Sequence, residues 1–187
     1  PEVGPRGGIW IVKPWSCSGN RQFDAGAAPP AAASAAGSIG TPPVAVDLPA
    51  PMKPISTTVG AGTVVHPFAV IGGDPQHNGY KGEPVRLEIG SNNLIREHCT
   101  FNRGTPQGTG VTVVGSDNLF MTGAHVGHDC VVGNNVVMAN NATLGGHAHV
   151  GDRVFLGGLC AVHQNGRVGQ GAIIGVLAAV TRDVIPY

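Results

Sequence analysis

Charged residues are scarce in this chain, at 12% of its 187 residues, and aromatics scarcer still at 5%. Lys plus Arg equal Asp plus Glu at 11 each, so the formal net charge is zero. That balance offers no general electrostatic attraction to nucleic acid or to an anionic membrane. No run of about 18 apolar residues occurs, so no membrane-spanning helix is expected. The four cysteines (Cys17, Cys99, Cys130 and Cys160) make no CxxC pair and no zinc-finger spacing. They read as reduced thiols of a cytoplasmic protein, used mostly as small core residues. A secretory signal peptide does not fit, because no apolar core follows a basic n-region.

What the chain has in quantity is glycine, 30 residues of it, and proline, 15. Ala27 to Ala36 reads AAPPAAASAA, and Pro42, Pro43, Pro49, Pro51 and Pro54 follow. With neither a helical nor a strand period, residues 1–54 read as a disordered or non-native leader that supplies no chemistry. The chain opens on Pro1 rather than Met, with Met52 as a candidate start, so a fragment or a processed form is expected. Residues 55–187 are the expected folded domain.

In that domain an apolar residue recurs every six positions from Val114 onward. The series is Val114, Phe120, Val126, Val132, Met138, Leu144, Val150, Leu156, Val162, Val168, Ile174 and Val180. Eight of the twelve are followed by Gly, and the positions four after each anchor are mostly small. Six fits neither a helix at 3.6 residues per turn nor an ordinary hairpin meander. It fits short strands joined by tight corners, three hexads to a coil: a left-handed parallel β-helix. Gly after the anchor is expected to permit the tight corner. Upstream the period runs in another phase, through Val59, Val65, Ile71 and then Ile89, Ile95, Phe101. Residues 77–88 and 107–113 leave the repeat. Excursions from a solenoid lie on its surface, which makes both loops functional candidates. The chain stops at Pro186–Tyr187 with no capping helix, again suggesting truncation.

Five of eight histidines fall within 39 residues: His125, His128, His147, His149 and His163. In an 18-residue coil, Asp129 stacks against His147, and Gln164 lies two coils from His128. His128, His147 and His163 therefore share nearly one azimuth over three coils, within roughly 10 Å along the axis. One histidine on a solenoid wall is ordinarily a solvated side chain. Three aligned beside a carboxylate leave two readings, a metal site or general-base catalysis by a carboxylate-oriented histidine.

The segment GAHVGHDCVVGNNVVMANNATLGGHAHVGD (123–152) resembles the catalytic stretch of the bacterial UDP-N-acetylglucosamine O-acyltransferase family, which opens lipid A synthesis. IGGDPQ (71–76), YKGEP (80–84), IREHCTFNRGT (95–105) and GSDNLFM (115–121) are similar to that family too. The likeness runs from about Val59 to Tyr187. It implies transfer of a 3-hydroxyacyl group from acyl carrier protein to the 3-hydroxyl of UDP-N-acetylglucosamine. It implies no metal and no cofactor beyond the carrier's phosphopantetheine, and a homotrimer with active sites between subunits.

By position, the resemblance makes His128 the general base, Asp129 its orienting carboxylate and the Gly146 amide the oxyanion donor. Gln76, His125, His147, His163 and Gln164 match substrate-binding positions. Val176, thirteen after His163, matches the position that ends the acyl groove, where Gly leaves room for a longer chain. This sequence departs from the family at His77 and Gly79, where an Asp and a substrate-binding Lys are usual, and at Asn102, usually His. A metalloenzyme like the gamma-class carbonic anhydrases, which share the fold, and a non-catalytic trimerisation module remain as alternatives.

Overall fold

The computed structural model describes residues 10–11 and 56–187. The expected leader thus lies outside the described residues, apart from Trp10–Ile11, which pairs antiparallel with Val70–Ile71. From Ser56 on, the chain is a left-handed parallel β-helix. Three parallel sheets form the walls of a prism, and each wall receives one short strand per coil. Wall A holds Val70–Gly73, Thr100–Asn102, His125–Val126, Thr143–Leu144, Ala161–Val162 and Ala179–Val180. The chain passes from wall A to wall B and then to wall C before returning.

All twelve repeat anchors from Val114 to Val180 point inward and are buried. The residues four after them close the corners from inside: Ala124, Cys130, Ala142, Ala148, Cys160 and Ala172 are buried. Aromatics contribute one internal pair, Phe101 edge-on to Phe120 at 4.9 Å. Asn93 and Asn118 also point inward, and their side-chain oxygens accept the backbone N–H of Asn118 and Val136. Each buried amide oxygen serves the main chain of the next coil, and Asn93 Nδ2 donates to the Gly90 and Gly115 carbonyls.

The corners correct one expectation. Glycines directly after the anchors from Val114 onward do not adopt a left-handed conformation. That conformation falls two residues later, on Asp117, Asp129, Asn135, Asn141, His147 and their equivalents, with φ near 60°. Asn and Asp tolerate it best among residues with a Cβ. The glycine after the anchor has another cause, the closeness of the next coil. A Cβ on Gly115 would lie 2.5 Å from the Gly133 carbonyl oxygen. Stacking at strand spacing leaves no room for it.

Strand pairing fixes the excursions. Thr143 pairs with Ala161, eighteen residues on, whereas Val70 pairs with Thr100 and Thr100 with His125, thirty and twenty-five on. The extra twelve and seven residues match the two expected departures in length. Their bounds shift, because Arg86–Ile89 and Val111–Val114 are strands of wall B. Val85 and Leu87 are buried, so the chain rejoins the wall before the anchor at Ile89. Both loops leave at the corner between walls A and B.

Gly115→Ala is expected to destabilise the fold by about 1–3 kcal/mol through overpacking against backbone. Asn135→Gly, at an exposed left-handed corner, is expected to change stability by less than about 1 kcal/mol. Denaturant midpoints for the two variants check the contrast; equal losses would show that φ, not stacking, sets the glycine requirement.

Candidate active site

The corner after Val126 carries His128 and Asp129, both buried. His128 Nδ1 lies 2.9 Å from Asp129 Oδ2. Asp129 is a carboxylate with no water to solvate it, so its partners decide its state. The Thr105 amide donates to both oxygens at 3.0 Å, and the Thr105 hydroxyl to Oδ2 at 2.7 Å. The Thr109 amide donates to Oδ1 at 3.0 Å, and its hydroxyl, 3.2 Å from Oδ1, makes its shorter bond to the Val111 carbonyl at 2.8 Å. Burial pushes the Asp129 carboxyl up, but the Thr105 hydroxyl and amide, His128 and the nearby His147 outweigh it. The carboxyl is held below the usual range, hence ionised. An ionised acceptor on Nδ1 fixes the neutral His128 tautomer: the proton is on Nδ1 and the Nε2 lone pair is free.

The next coil completes the wall. His147, one coil beyond Asp129, brings Nε2 to 3.8 Å from Asp129 Oδ2, with its ring edge-on to His128 at 5.0 Å. Gly146 lies against the His128 ring; a Cβ there would meet Cε1 at 2.5 Å. The Gly146 N–H makes no hydrogen bond among the described residues. His125, on wall A, is half-buried and bonds Thr100 Oγ1 through Nδ1 at 2.7 Å. Burial, then repulsion from His128, pushes its imidazole below the ordinary histidine value, so it is neutral at pH 7.

Not every candidate joins this cluster. His163 and Gln164 are exposed on the following coil, where His163 Nδ1 meets the Gln164 carbonyl at 3.1 Å. The expected azimuth holds for backbone, since Gln164 stacks over Gly145 and Asn165 bonds Gly146. Gln76 is exposed on the first excursion, and Val176 is exposed at the corner between walls C and A. His149 faces out from wall B and takes no part.

Sequence reasoning missed Thr105, Thr109 and His77. The second loop leaves the repeat, and Thr105 ends the IREHCTFNRGT motif, but nothing in the spacing of Thr105 and Thr109 shows them folding onto Asp129. His77, which replaces the family's usual Asp, stands edge-on to His128 at 5.5 Å. Its Nδ1 accepts the Gly79 N–H at 3.1 Å, which leaves the proton of the neutral ring on Nε2.

His128, Asp129 and His147 bring donor atoms within 4.8 Å of one another, the spacing of a metal centre. The carboxylate chemistry fits that use poorly. Two carboxylate oxygens offer about four lone-pair positions, and Thr105, Thr109 and His128 already draw on them. The donor set suits an orienting carboxylate better than a ligand.

Comparison with known proteins bears directly on this wall. The family described as Bacterial transferase hexapeptide (six repeats) matches residues 112–146. The acyl-(acyl-carrier-protein)–UDP-N-acetylglucosamine O-acyltransferase of Agrobacterium fabrum is 51% identical over 131 residues, covering 70% of this chain and 48% of that protein. That of Rhizobium rhizogenes is 55% identical over the same shares. This chain is a relative of the UDP-N-acetylglucosamine O-acyltransferases. It spans about half the length of the curated relatives it matches. Solved acyltransferases of this family agree in fold. That of Francisella novicida superposes with TM-score 0.67 at 40% identity, over 70% of this chain and 50% of its own. The Arabidopsis enzyme gives 0.67 at 37%, over 72% and 46%.

Thr105→Val removes one charge-assisted bond to Asp129 and should cost about 1.5–3 kcal/mol near neutral pH. Because the Asp129 pKa is depressed on folding, its contribution is full above the unfolded value of about 3.9 and is lost as pH falls through the folded value. The variant should therefore show a shallower acid dependence of stability. Denaturant unfolding between pH 7 and pH 3 measures it, and parallel curves would mean that Thr105 does not set the Asp129 charge.

Proposed function

We propose that the intact protein transfers a 3-hydroxyacyl group from acyl carrier protein to the 3-hydroxyl of UDP-N-acetylglucosamine, opening lipid A synthesis. The observation that carries this reading is the buried His128–Asp129 pair with Nε2 left free. A base needs an acceptor nitrogen held in one tautomer beside the hydroxyl it deprotonates. His128 Nε2 takes the sugar hydroxyl proton as that oxygen attacks the thioester carbonyl. The oxyanion accepts from the Gly146 N–H. Collapse breaks the C–S bond, and His128 returns the proton to the departing thiolate, leaving an ester and a free thiol. Asp129 stays ionised throughout and holds the imidazolium that forms between the two transfers.

The remaining assignments belong to the same proposal. Gln76, His125 and His147 bind the nucleotide sugar, and His163 with Gln164 receives the acyl-phosphopantetheine arm. That arm arrives on the carrier, so no cofactor of the protein's own is invoked. The protein works as a homotrimer in the cytoplasm. Among the described residues, no helix is long and apolar enough to cross a membrane.

His128→Ala should lower transfer by about 10²–10⁴-fold while the β-helix persists, because the ring lies outside the prism. Labelled UDP-N-acetylglucosamine with 3-hydroxyacyl carrier protein reads the rate, and sedimentation of the intact protein should give three chains. Near-normal turnover by a folded variant removes His128 as the base. Gly146→Ala is no clean test of the oxyanion donor, since its Cβ would displace the base itself.

Val176, with 67% of its surface exposed, is available to a ligand. An isopropyl group in place of hydrogen removes space for a few methylenes, each worth about 0.8 kcal/mol when buried. The protein should prefer a shorter acyl chain, by roughly tenfold or more, than its Val176→Gly variant. Competition between carriers of different acyl length decides it; an unchanged preference in the variant retires the assignment.

A further inference from the structure

Arg103 is the one cation buried to this depth among the described residues, with 3% of its surface exposed, and the mechanism above does not use it. Its Nη1 donates to the Gly72 carbonyl. Its Nη2 donates to Asp74 and, at 3.3 Å, to the Tyr80 hydroxyl. Gly72 and Asp74 lie where the first excursion leaves wall A, and Tyr80 lies on its far limb. One guanidinium therefore ties both limbs of the loop to the body, and Asn102 adds a bond from Nδ2 to the Asp74 carbonyl at 2.9 Å. Between these ties the loop carries Gln76 and His77, and His77 meets the His128 ring.

The same backbone serves the catalytic carboxylate. Two residues after Arg103, Thr105 gives Asp129 its amide and its hydroxyl. Segment 102–105 thus grips the sugar-side loop with one set of groups and the base's partner with another. Stability alone is a poor reason for this arrangement. The Arg103 Nε and the Asn102 Oδ1 are buried and without partners among the described residues. Such groups cost stability, and Asp74, the ion-pair partner of Arg103, has 68% of its side chain exposed, so the pair itself adds little. Asn118 Nδ2, inside the prism, is also without a partner, but at Asn102 and Arg103 two adjacent residues carry such atoms, which calls for a reason beyond packing.

We infer that Arg103 is a positioning residue that holds the Asp74–Val85 loop, and with it Gln76 and His77, in register with the His128–Asp129 pair. The inference rests on the proposed reaction only for its kinetic consequence; the placement of His77 stands apart from it. Lysine does not replace Arg103, because a single ammonium lacks the planar fork that reaches a carbonyl, a carboxylate and a phenol at once.

The test uses the intact protein and the variants Arg103→Lys and Arg103→Ala. In imidazole NMR the wild type should show through-space contact between the His77 and His128 rings, and both variants should lose it while the Val114–Val180 core signals remain. In the acyl-transfer assay KM for UDP-N-acetylglucosamine should rise by tenfold or more, with kcat changing less than threefold. Added guanidinium should restore part of that KM in Arg103→Ala and none in His77→Ala. A purely structural Arg103 predicts the reverse, a lowered folded fraction that cuts kcat and leaves KM unchanged. Persistence of the His77–His128 contact in both folded variants, or the kcat-only pattern, overturns the inference. If the protein transfers no acyl group at all, the NMR contact still decides the role of Arg103 while the functional reading fails separately.

Discussion

Coil-on-coil stacking at strand spacing is the constraint on which this molecule depends. Outside the two excursions, each wall residue lies one strand away from its counterpart eighteen positions on, as Thr143 does from Ala161. At most of the glycines after the anchors nothing larger than hydrogen fits, and the left-handed turn falls at one place in each regular corner. The same rule builds the site. Asp129 and His147 are consecutive occupants of that left-handed corner position, at φ 58° and 61°. Their backbones are locked by strand pairing on either side, so their side chains need no further help to face each other. Gly146 follows from the rule too: the residue before His147 must clear the ring that Asp129 orients.

Stacking alone would leave Asp129 at a solvent-washed corner, as Asp117 and Asn135 are. The two excursions change its environment. The loop from Thr105 to Gly110 folds over the carboxylate and supplies donors from Thr105 and Thr109, while the loop from Asp74 to Val85 brings His77 to the other side. A carboxylate with those donors stays charged while buried, and a charge in a dry site acts on its histidine more strongly than one in water. The regular repeat gives precision, and the irregular loops give the dielectric and the hydrogen bonds.

The repeat was fully legible in the sequence because its period belongs to one architecture and each anchor can be tested against the next. The alignment of Asp129 with His147 followed from arithmetic on eighteen residues. The role of glycine was misread, since sequence shows where glycine occurs and not whether φ or a neighbouring carbonyl demands it. The loop limits shifted by several residues because Arg86–Ile89 and Val111–Val114 resume pairing before their anchors. Thr105, Thr109 and Arg103 stayed hidden for a different reason. Their partners are reached across an excursion, where no period constrains the path of the chain.

A second imidazole–carboxylate pair shows how little the pairing means by itself. At the corner between walls C and A, His66 Nδ1 lies 3.2 Å from Glu97 Oε1. The Arg96 side chain, first among several bonds, pulls the Glu97 carboxyl down to about 2, and both partners are about one-third exposed. Arg96 donates to both carboxylate oxygens, from Nε to Oε2 and from Nη2 to Oε1, and the Thr122 hydroxyl shares Oε2. A hydroxyl arriving there would compete with solvent, and the Glu97 charge is already spent on an arginine. The Asp129 charge faces no Lys or Arg side chain among its bonded partners, only neutral donors and imidazoles, so it remains available to the imidazolium that His128 would become. The two pairs share their chemistry and almost their geometry. They differ in burial and in the neighbouring cation, and those differences place the catalytic candidate at one corner of the prism rather than the other.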